Sequence, residues 1–306
     1  MSLKTGENVL SYLPEKYLGI DIVLDKNGQW NFGGSKINPD ELSDRVDIIF
    51  NALHGHFGED GQVQHILDTL RLPYTGSGVI ASMAAMNKVL SRDFFQKAGL
   101  RIPQAVVVKN DEPLDEAARR IFHSIRPFWI VKPVSEGSSI GVTIVRNFDD
   151  LIPALKYAFN YGSVALVEEY IKGSEVTCGV LENFRGEEHY ALPVIEIIPP
   201  SEHEFFDYGV KYDGSTREIC PADFETSIKR EIEEIARLAH RILGCESYSR
   251  TDMIVSDHGI YLLEVNTLPG LTRESLLPKS ADAVGLPFPK LLEHIIDLAL
   301  NKKRNF

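Results

Sequence analysis

Three side chains near the carboxyl end of the chain carry oxygen donors at spacings that could bring them together. The apolar segments RTDMIV and IYLLEVN are joined by a polar turn of four residues that ends in glycine. Folding the chain about this turn into antiparallel strands places Asp252 opposite Glu264, to within one residue. Asn266, two positions further along, then lies on the same face as Glu264. Hard oxygen ligands of this kind suit Mg²⁺ bound together with nucleotide phosphates.

The alternative interpretation of this hairpin is that its polar strand ends are simply solvated. Val265 alternates with Glu264 and Asn266, and it ends a run that is too apolar for a surface edge. The pattern favours a buried strand whose polar end carries a site.

A second candidate site is the loop VSEGSSIG, which lies between two predicted strands over 128–133 and 141–145. Such a loop can direct backbone N–H groups and hydroxyls at phosphate oxygens, and Lys132 at the end of the first strand adds a positive charge. The loop matches neither the P-loop pattern nor the G-x-G-x-x-G dinucleotide pattern. A flexible hairpin turn remains the alternative.

Acidic side chains cluster where a further predicted strand, VALVEEYI, ends. Backbone groups at such a hinge could bind an adenine, and Glu175 could accept hydrogen bonds from ribose hydroxyls. Surface acids beside Lys172 are an equally simple account. Lys88, on a helix predicted over 79–98, is likewise either a phosphate ligand or a solvated charge.

The composition excludes several classes of partner. The chain has 306 residues, 43% of them apolar, and 32 basic against 44 acidic side chains give a net charge of −12. It therefore offers no extended basic field for nucleic acid or an anionic membrane. Three cysteines without a C-x-x-C pair argue against a disulfide framework and a structural zinc site, and no apolar run is long enough to span a membrane. These features predict a cytoplasmic protein.

Hydrophobic periodicity and the positions of turn-forming residues predict that the first unit of the chain covers residues 1–78. β-Rich runs over 17–24 and 46–52 are followed by the polar loop HGHFGEDG and a helix over 62–70. Strands that alternate with helices predict an open α/β domain.

Two further units complete the predicted organisation. The second, 79–171, begins with the helix over 79–98 and continues as a smaller α+β unit. The third, 172–306, contains more strands, a helix over 227–243 and the final hairpin. The predicted fold class is therefore α/β and α+β.

Taken in order, these segments resemble a D-alanine:D-alanine ligase of the ATP-grasp superfamily, from about Ser2 to nearly the end of the chain. The motifs that carry the resemblance are HGHFGEDG, LPYTGSGVIASMAAMNK, VKPVSEGSSIGV, EEYIKGSEVT, LPVIEI, FFDYGVKY, SRTD and EVNTLPGLTRESLLP. The resemblance implies a three-domain ATP-grasp architecture with a truncated first domain. It also implies a reaction in which ATP phosphorylates one D-alanine carboxylate and the amine of a second D-alanine attacks the acyl phosphate, for peptidoglycan synthesis.

The resemblance implies roles for individual residues. The implied metal ligands, for a pair of Mg²⁺ or Mn²⁺ ions, are Asp252, Glu264 and Asn266. The implied ATP-binding residues are Lys88, Lys132, Glu168, Tyr170, Ile171, Glu175 and Lys211. The implied catalytic residues are Ser138, Arg250, Tyr212 and the backbone of Gly270, and the substrate residues are Ser275, Leu276 and His54.

The implied catalytic residues divide by task. Arg250 and the Gly270 backbone steady the oxyanion of the tetrahedral intermediate, where fixed donors have large effects on rate. Ser138 and Tyr212 order the substrates, and a tyrosine at the latter position favours an amine nucleophile over a hydroxyl. For His54, a hydrogen bond within the loop is the alternative to substrate binding.

The chief departure from the family pattern is at the amino terminus. Family members usually begin with a strand and a G-G-x-S-x-E segment whose glutamate binds the ammonium of the first D-alanine. Here the sequence starts at M-S-L-K-T-G, the equivalent of the following helix. We expect a start upstream of Met1, with a real shortened form as the alternative.

Three hypotheses about function follow. The leading one is a homodimeric D-alanine:D-alanine ligase that uses ATP and D-alanine. The second is a related ATP-grasp amino-acid ligase with an altered first substrate, because the missing glutamate is a specificity group. The third is an ATP-binding pseudoenzyme, against which the intact metal ligands argue.

Overall fold

The computed structural model describes residues 1–137, 140–200 and 216–302. Its first part contains α1 (Ser2–Tyr12), β1 (Ile22–Leu24), β2 (Trp30–Phe32), β3 (Ser35–Ile37) and α2 (Gln62–Thr69). The three strands form a small antiparallel sheet, and α2 packs with them around a shared core that includes Trp30 and Leu67. The segment over 46–52, predicted to be a strand, forms only an isolated parallel bridge between Ile49 and Tyr74. It forms no ladder, because its neighbour around Tyr74 pairs with it at this single position.

The helix predicted over 79–98 is two helices, α3 (Val79–Met86) and α4 (Lys88–Lys97). Asn87 separates them in an extended conformation, with φ −85° and ψ 100°. Its side-chain oxygen accepts hydrogen bonds from two backbone N–H groups in the first turn of α4. Because Asn favours such capping over a helix interior, the break is local in origin, and it makes Lys88 the first residue of α4.

Replacement of Asn87 by alanine is expected to fray the start of α4. The side-chain oxygen lies 3.1 Å from the backbone nitrogens of both Val89 and Leu90, and losing such a cap costs about 1 kcal/mol. Amide hydrogen exchange at Val89 and Leu90 should therefore be faster in Asn87→Ala. Asn87→Asp keeps the acceptor and is the matched control. Equal protection in the wild type and the alanine variant would contradict the capping role.

The second sheet is antiparallel and has helices packed on it. Its elements in chain order are β4 (Ala105–Lys109), α5 (Leu114–Ser124), β5 (Trp129–Pro133), β6 (Thr143–Val145), α6 (Leu151–Ala158) and β7 (Val164–Glu169). The strands lie in the order β4-β7-β5-β6. Trp129 is fully buried between this sheet and the apolar faces of α5 and α6, which fixes the frame that carries Lys132 and Glu168.

The third sheet is also antiparallel and carries the final hairpin. Its elements are β8 (Ser174–Phe184), β9 (Glu187–Ala191), β10 (Ile195–Ile198), β11 (Arg217–Ile219), α7 (Thr226–Leu243), β12 (Tyr248–Ser256) and β13 (Gly259–Asn266). The strand order is β11-β10-β8-β12-β13, and β9 pairs with β8. Helix α7 packs a stripe of apolar residues on this sheet, among them Ile232, Ala236 and Leu243, and ends at Gly244 with φ 66°.

Two carboxyl-terminal helices connect the third sheet to the first part of the chain. They are α8 (Leu276–Ala283) and α9 (Phe288–Asn301). Their buried faces share one core with Val9 of α1 and Leu181 of β8. This packing places the loop after β13 beside α1. In the described part of the chain, no helix combines the length and the apolar character needed to cross a membrane.

Candidate active site

A cleft between the second and third sheets gathers most of the predicted ATP and metal residues. The predicted residues that line it are Lys88, Lys132, Glu168, Tyr170, Ile171, Glu175, Asp252 and Glu264. Apolar side chains from both sheets, including Ile130 and Leu263, complete its walls. A concave site with apolar walls and a few converging charges is typical of a ligand pocket.

The predicted pairing of the final hairpin is confirmed, with Asp252 directly opposite Glu264. Each oxygen of the Asp252 carboxylate accepts two hydrogen bonds. Nε and Nη2 of Arg250 donate across 2.9 and 2.7 Å, and Nδ2 of Asn266 donates across 3.0 Å. The hydroxyl of Thr177, which faces Asp252 from β8, donates across 2.6 Å. Asp252 is therefore the centre of a hydrogen-bonded network within the sheet.

The donor chemistry of this network fits a hard divalent cation. Asp252, Glu264 and Asn266 offer carboxylate and amide oxygens, and Asp252 and Glu264 both line the cleft. Arg250 competes for the same carboxylate: burial lowers the pKa of its guanidinium, but Asp252 more than offsets this and holds the pKa above its ordinary value. A cation that binds Asp252 must displace at least one of the present donors.

Lys88 approaches the acidic pair from the start of α4. Its Nζ lies 3.6 Å from a Glu264 carboxylate oxygen and donates to the backbone oxygen of Glu136 across 2.6 Å. Burial lowers the pKa of this ammonium, and the charge of Glu264 partly offsets the effect. The backbone of Lys88 also donates to Val134, so α4 is tied at two points to the predicted phosphate loop.

Glu168 lies between two cations at the base of the cleft. Its carboxylate oxygens are 2.6 Å from Nζ of Lys132 and 2.7 Å from Nη1 of Arg92, and its side chain is only 3% exposed. We did not predict Arg92 from the sequence, although it stands four residues after Lys88 and so on the same face of α4. We also did not predict that Thr177 contacts Asp252. The alternation of side chains along β8, which places Thr177 on the same face of the sheet as Asp252, could have indicated it. Tyr170 and Ile171 follow directly after β7.

His54 lies between α1 and the loop that follows β13. Its Nε2 is 2.8 Å from the Thr5 hydroxyl and its Nδ1 is 3.1 Å from the backbone oxygen of Leu268. The hydrogen bonds of the ring therefore leave its own loop and support the segment that leads to Gly270.

The segment before α8 is folded tightly on itself. The Ser275 hydroxyl accepts from the backbone N–H of Thr272 across 3.1 Å, and a Cβ added to Gly270 would lie 2.9 Å from the same hydroxyl oxygen. Leu276 begins α8, so backbone N–H groups at this helix start suit a carboxylate. Three other predicted residues, Ser138, Lys211 and Tyr212, lie outside the described residues.

Two lysines and an acidic pair converge in this cleft between two antiparallel sheets, which is the arrangement expected of an ATP-grasp enzyme. Family models described as D-ala D-ala ligase N-terminus and D-ala D-ala ligase C-terminus match residues 31–77 and 94–297. The chain belongs to the D-alanine–D-alanine ligase family, a family of ligase enzymes.

Individual relatives agree with this membership. A D-alanine–D-alanine ligase of Syntrophobacter fumaroxidans is 44% identical, over 98% of this chain and 93% of its own. The structure of the D-alanine–D-alanine ligase from Bacillus anthracis complexed with ATP aligns with a TM-score of 0.80 at 33% identity, over 98% of this chain and 92% of that one. The VanG D-Ala:D-Ser ligase from Enterococcus faecalis aligns at 0.85 and 29% identity, over 97% and 94%. The predicted ATP-grasp fold is confirmed.

Proposed function

We propose that the protein joins two D-alanines in an ATP-dependent reaction and supplies D-alanyl-D-alanine for peptidoglycan precursors. The observation that carries the proposal is the cleft, where Lys88 and Lys132 lie beside the opposed carboxylates Asp252 and Glu264 in a chain of the D-alanine–D-alanine ligase family. In the first step the carboxylate of one D-alanine takes the γ-phosphoryl group and ADP leaves. In the second, the amine of another D-alanine displaces phosphate from the acyl phosphate and loses a proton.

The cleft residues divide the binding of ATP between them. Lys88 and Lys132 hold the phosphates, because both ammonium groups are nearly buried in the cleft. Glu168 keeps Lys132 in position, and Glu175 accepts from the ribose hydroxyls. The adenine lies against the apolar walls near Tyr170 and Ile171.

Asp252, Glu264 and Asn266 would hold Mg²⁺ or Mn²⁺, as a pair of ions. Such a cation would supply positive charge to offset that of the phosphates during transfer. The fit rests on the oxygen donors of the opposed strands, where Asp252 lies directly opposite Glu264. Arg250 would stabilise an oxyanion together with the Gly270 backbone.

The second D-alanine is assigned to the segment before α8. The backbone N–H groups at Ser275 and Leu276 and the Ser275 hydroxyl suit its carboxylate. His54 acts indirectly, by holding the backbone at Leu268. The roles of Ser138, Lys211 and Tyr212 rest on the resemblance, with Ser138 and Tyr212 ordering the substrates.

We extend the proposal to the organisation of the protein. The domains divide at 78/79 and 171/172, which separates the three sheets. A homodimer in the cytoplasm is proposed from the resemblance, and the exposed apolar side chains of Ile80 and Met83 on α3 offer a surface for association.

The proposal predicts ligation that depends on D-alanine, ATP and a divalent cation. Phosphate release should be followed with ATP, Mg²⁺ and D-alanine, and the dipeptide identified by mass spectrometry. EDTA should abolish product, because the phosphates would lose their counter-ion. In a panel with L-alanine, D-serine and D-lactate, D-alanine should be the preferred first and second substrate.

The same assay discriminates the alternatives. Turnover with another amino acid but not with D-alanine would indicate a ligase with an altered first substrate. ATP binding without phosphate release for any amino acid would indicate a pseudoenzyme. A preference for D-serine as the second substrate would indicate a D-Ala:D-Ser ligase, like the Enterococcus faecalis protein.

A further inference from the structure

A second cluster of polar side chains lies on the face of the third sheet that α7 covers. Glu182 of β8 is five residues from Thr177, so its side chain points away from the active-site face of the strand. His189 of β9 is directly opposite Glu182, and His240 of α7 packs over both. The candidate donor atoms of these three side chains all lie within 4.8 Å of one another. None of the three belongs to the cleft.

His240 is the buried member of the cluster. Its side chain is fully buried, and within the described residues its Nε2 has no hydrogen-bond partner. The nearest acidic oxygen, Oε1 of Glu182, lies 3.8 Å from Nε2, which is longer than a hydrogen bond. A buried ring nitrogen without a partner calls for an explanation such as an ion or a water.

The other ring nitrogen of His240 fixes how the side chain can act. Nδ1 lies 2.7 Å from the buried hydroxyl of Ser249. When Nδ1–H donates to Ser249, Nε2 carries a lone pair that is directed towards the Glu182 carboxylate. Two electron-rich atoms then face each other, which a cation between them would stabilise.

Glu182 and His189 are also held in place. One Glu182 oxygen accepts from the backbone N–H of Ser247 across 2.7 Å, which leaves Oε1 as the oxygen that faces His240. The rings of His189 and His240 meet edge to face, with their centroids 5.3 Å apart. Hydrogen bonds that orient ligands from behind, as those of Ser247 and Ser249 do here, are typical of metal sites.

We propose that Glu182, His189 and His240 bind a divalent transition-metal ion, for which Zn²⁺ is the best match. Two imidazoles and a carboxylate are a zinc donor set that leaves one position for water, whereas Mg²⁺ prefers oxygen alone. Zinc ligand atoms lie about 3.4 Å apart in a tetrahedral site, so the 3.8 Å separation needs only a small adjustment.

The ion would cross-link the β8–β9 hairpin to α7. Cysteine spacing argued against a structural zinc site, but this cluster contains no cysteine and its members are far apart in the sequence. The site is independent of the proposed function, because it lies on the opposite face from Asp252 and Glu264. The proposed ligase function can therefore be disproved while the zinc proposal stands, and the zinc proposal can be disproved while the ligase function stands.

The test measures metal binding to tag-free, chelator-treated protein. We expect one equivalent of Zn²⁺ by equilibrium dialysis and an intense visible spectrum with Co²⁺ as a tetrahedral probe. At zinc about 100-fold above its Kd, the unfolding equilibrium constant should fall about 100-fold, seen as a higher Tm. The first variant is His189→Gln, because His189 is only half-buried and its replacement leaves the core intact.

Four variants, two in the cluster and two controls outside it, locate the ion. His189→Gln and Glu182→Gln should lose the cobalt spectrum and the zinc-dependent rise in Tm. His123→Gln, which removes an exposed histidine, and Glu264→Gln, which alters the proposed magnesium site, should keep both. The proposal is overturned if the wild type binds no zinc, if His189→Gln binds it as tightly as the wild type, or if Glu264→Gln abolishes binding.

Discussion

Replacement of Glu264 by alanine is expected to lower kcat/KM for ligation at least about a thousandfold. Glu264 stands directly opposite Asp252 and 3.6 Å from Nζ of Lys88. Its removal takes one hard oxygen ligand from the proposed metal site and one countercharge from a buried lysine. Stabilisation of transition-state charge by a metal amounts to several kcal/mol, and each 1.36 kcal/mol is a factor of ten in rate. Initial rates of phosphate release with saturating ATP measure the effect.

Two further variants make the result specific. Asp257→Ala removes an exposed carboxylate from the turn of the same hairpin and should leave turnover unchanged. Glu264→Gln keeps the size of the side chain, and a high Mg²⁺ concentration should partly restore its activity. Turnover by Glu264→Ala within threefold of the wild type would exclude Glu264 from the metal ligands.

The largest expected effect on stability is at Glu168. Its carboxylate is nearly fully buried between Lys132 and Arg92, at 2.6 and 2.7 Å. Glu168→Gln leaves both cations buried without their shared countercharge, which should lower the free energy of unfolding by about 3–5 kcal/mol. The change is measured by urea unfolding, with Trp129 fluorescence as the signal in a Trp30→Phe background. The chain has two tryptophans, so Trp129 then reports on the second sheet alone.

The neighbouring residue provides a control with the same substitution. Glu169 accepts a hydrogen bond from the backbone N–H of Gln104 across 2.8 Å, and a glutamine can keep this bond. Glu169→Gln should therefore cost less than about 1 kcal/mol. Equal midpoints for the Glu168 and Glu169 variants would mean that the buried charge of Glu168 contributes nothing to stability.

The final hairpin was predictable to the residue because its determinants are local. A tight polar turn and a period of two place Asp252 opposite Glu264 whatever packs on the strands. The break at Asn87 was equally local. Asn is a common N-cap residue, and its side chain accepts hydrogen bonds from two backbone N–H groups in the first turn of α4. The continuous apolar pattern over 79–98 nevertheless led to the prediction of a single helix.

Partnerships between distant elements were much less predictable. The run over 46–52 has strand composition, yet it forms only the Ile49–Tyr74 bridge, because a strand needs a partner along its length. Arg92 was missed since nothing in its sequence context distinguishes a solvated arginine from one that pairs with a buried carboxylate on β7.

By itself, the sequence determined most of the elements, the register of the hairpin and the motifs that indicate an ATP-grasp ligase, since spacing along the chain encodes all three. Only the tertiary structure decided which charges neutralise one another. It pairs Arg250 with Asp252, and it pairs Lys132 and Arg92 with Glu168. It also brings Glu182, His189 and His240 together from two strands and a helix. The physical reason is that burial penalises an unpaired charge, and which partner is within reach depends on how the sheets and helices pack.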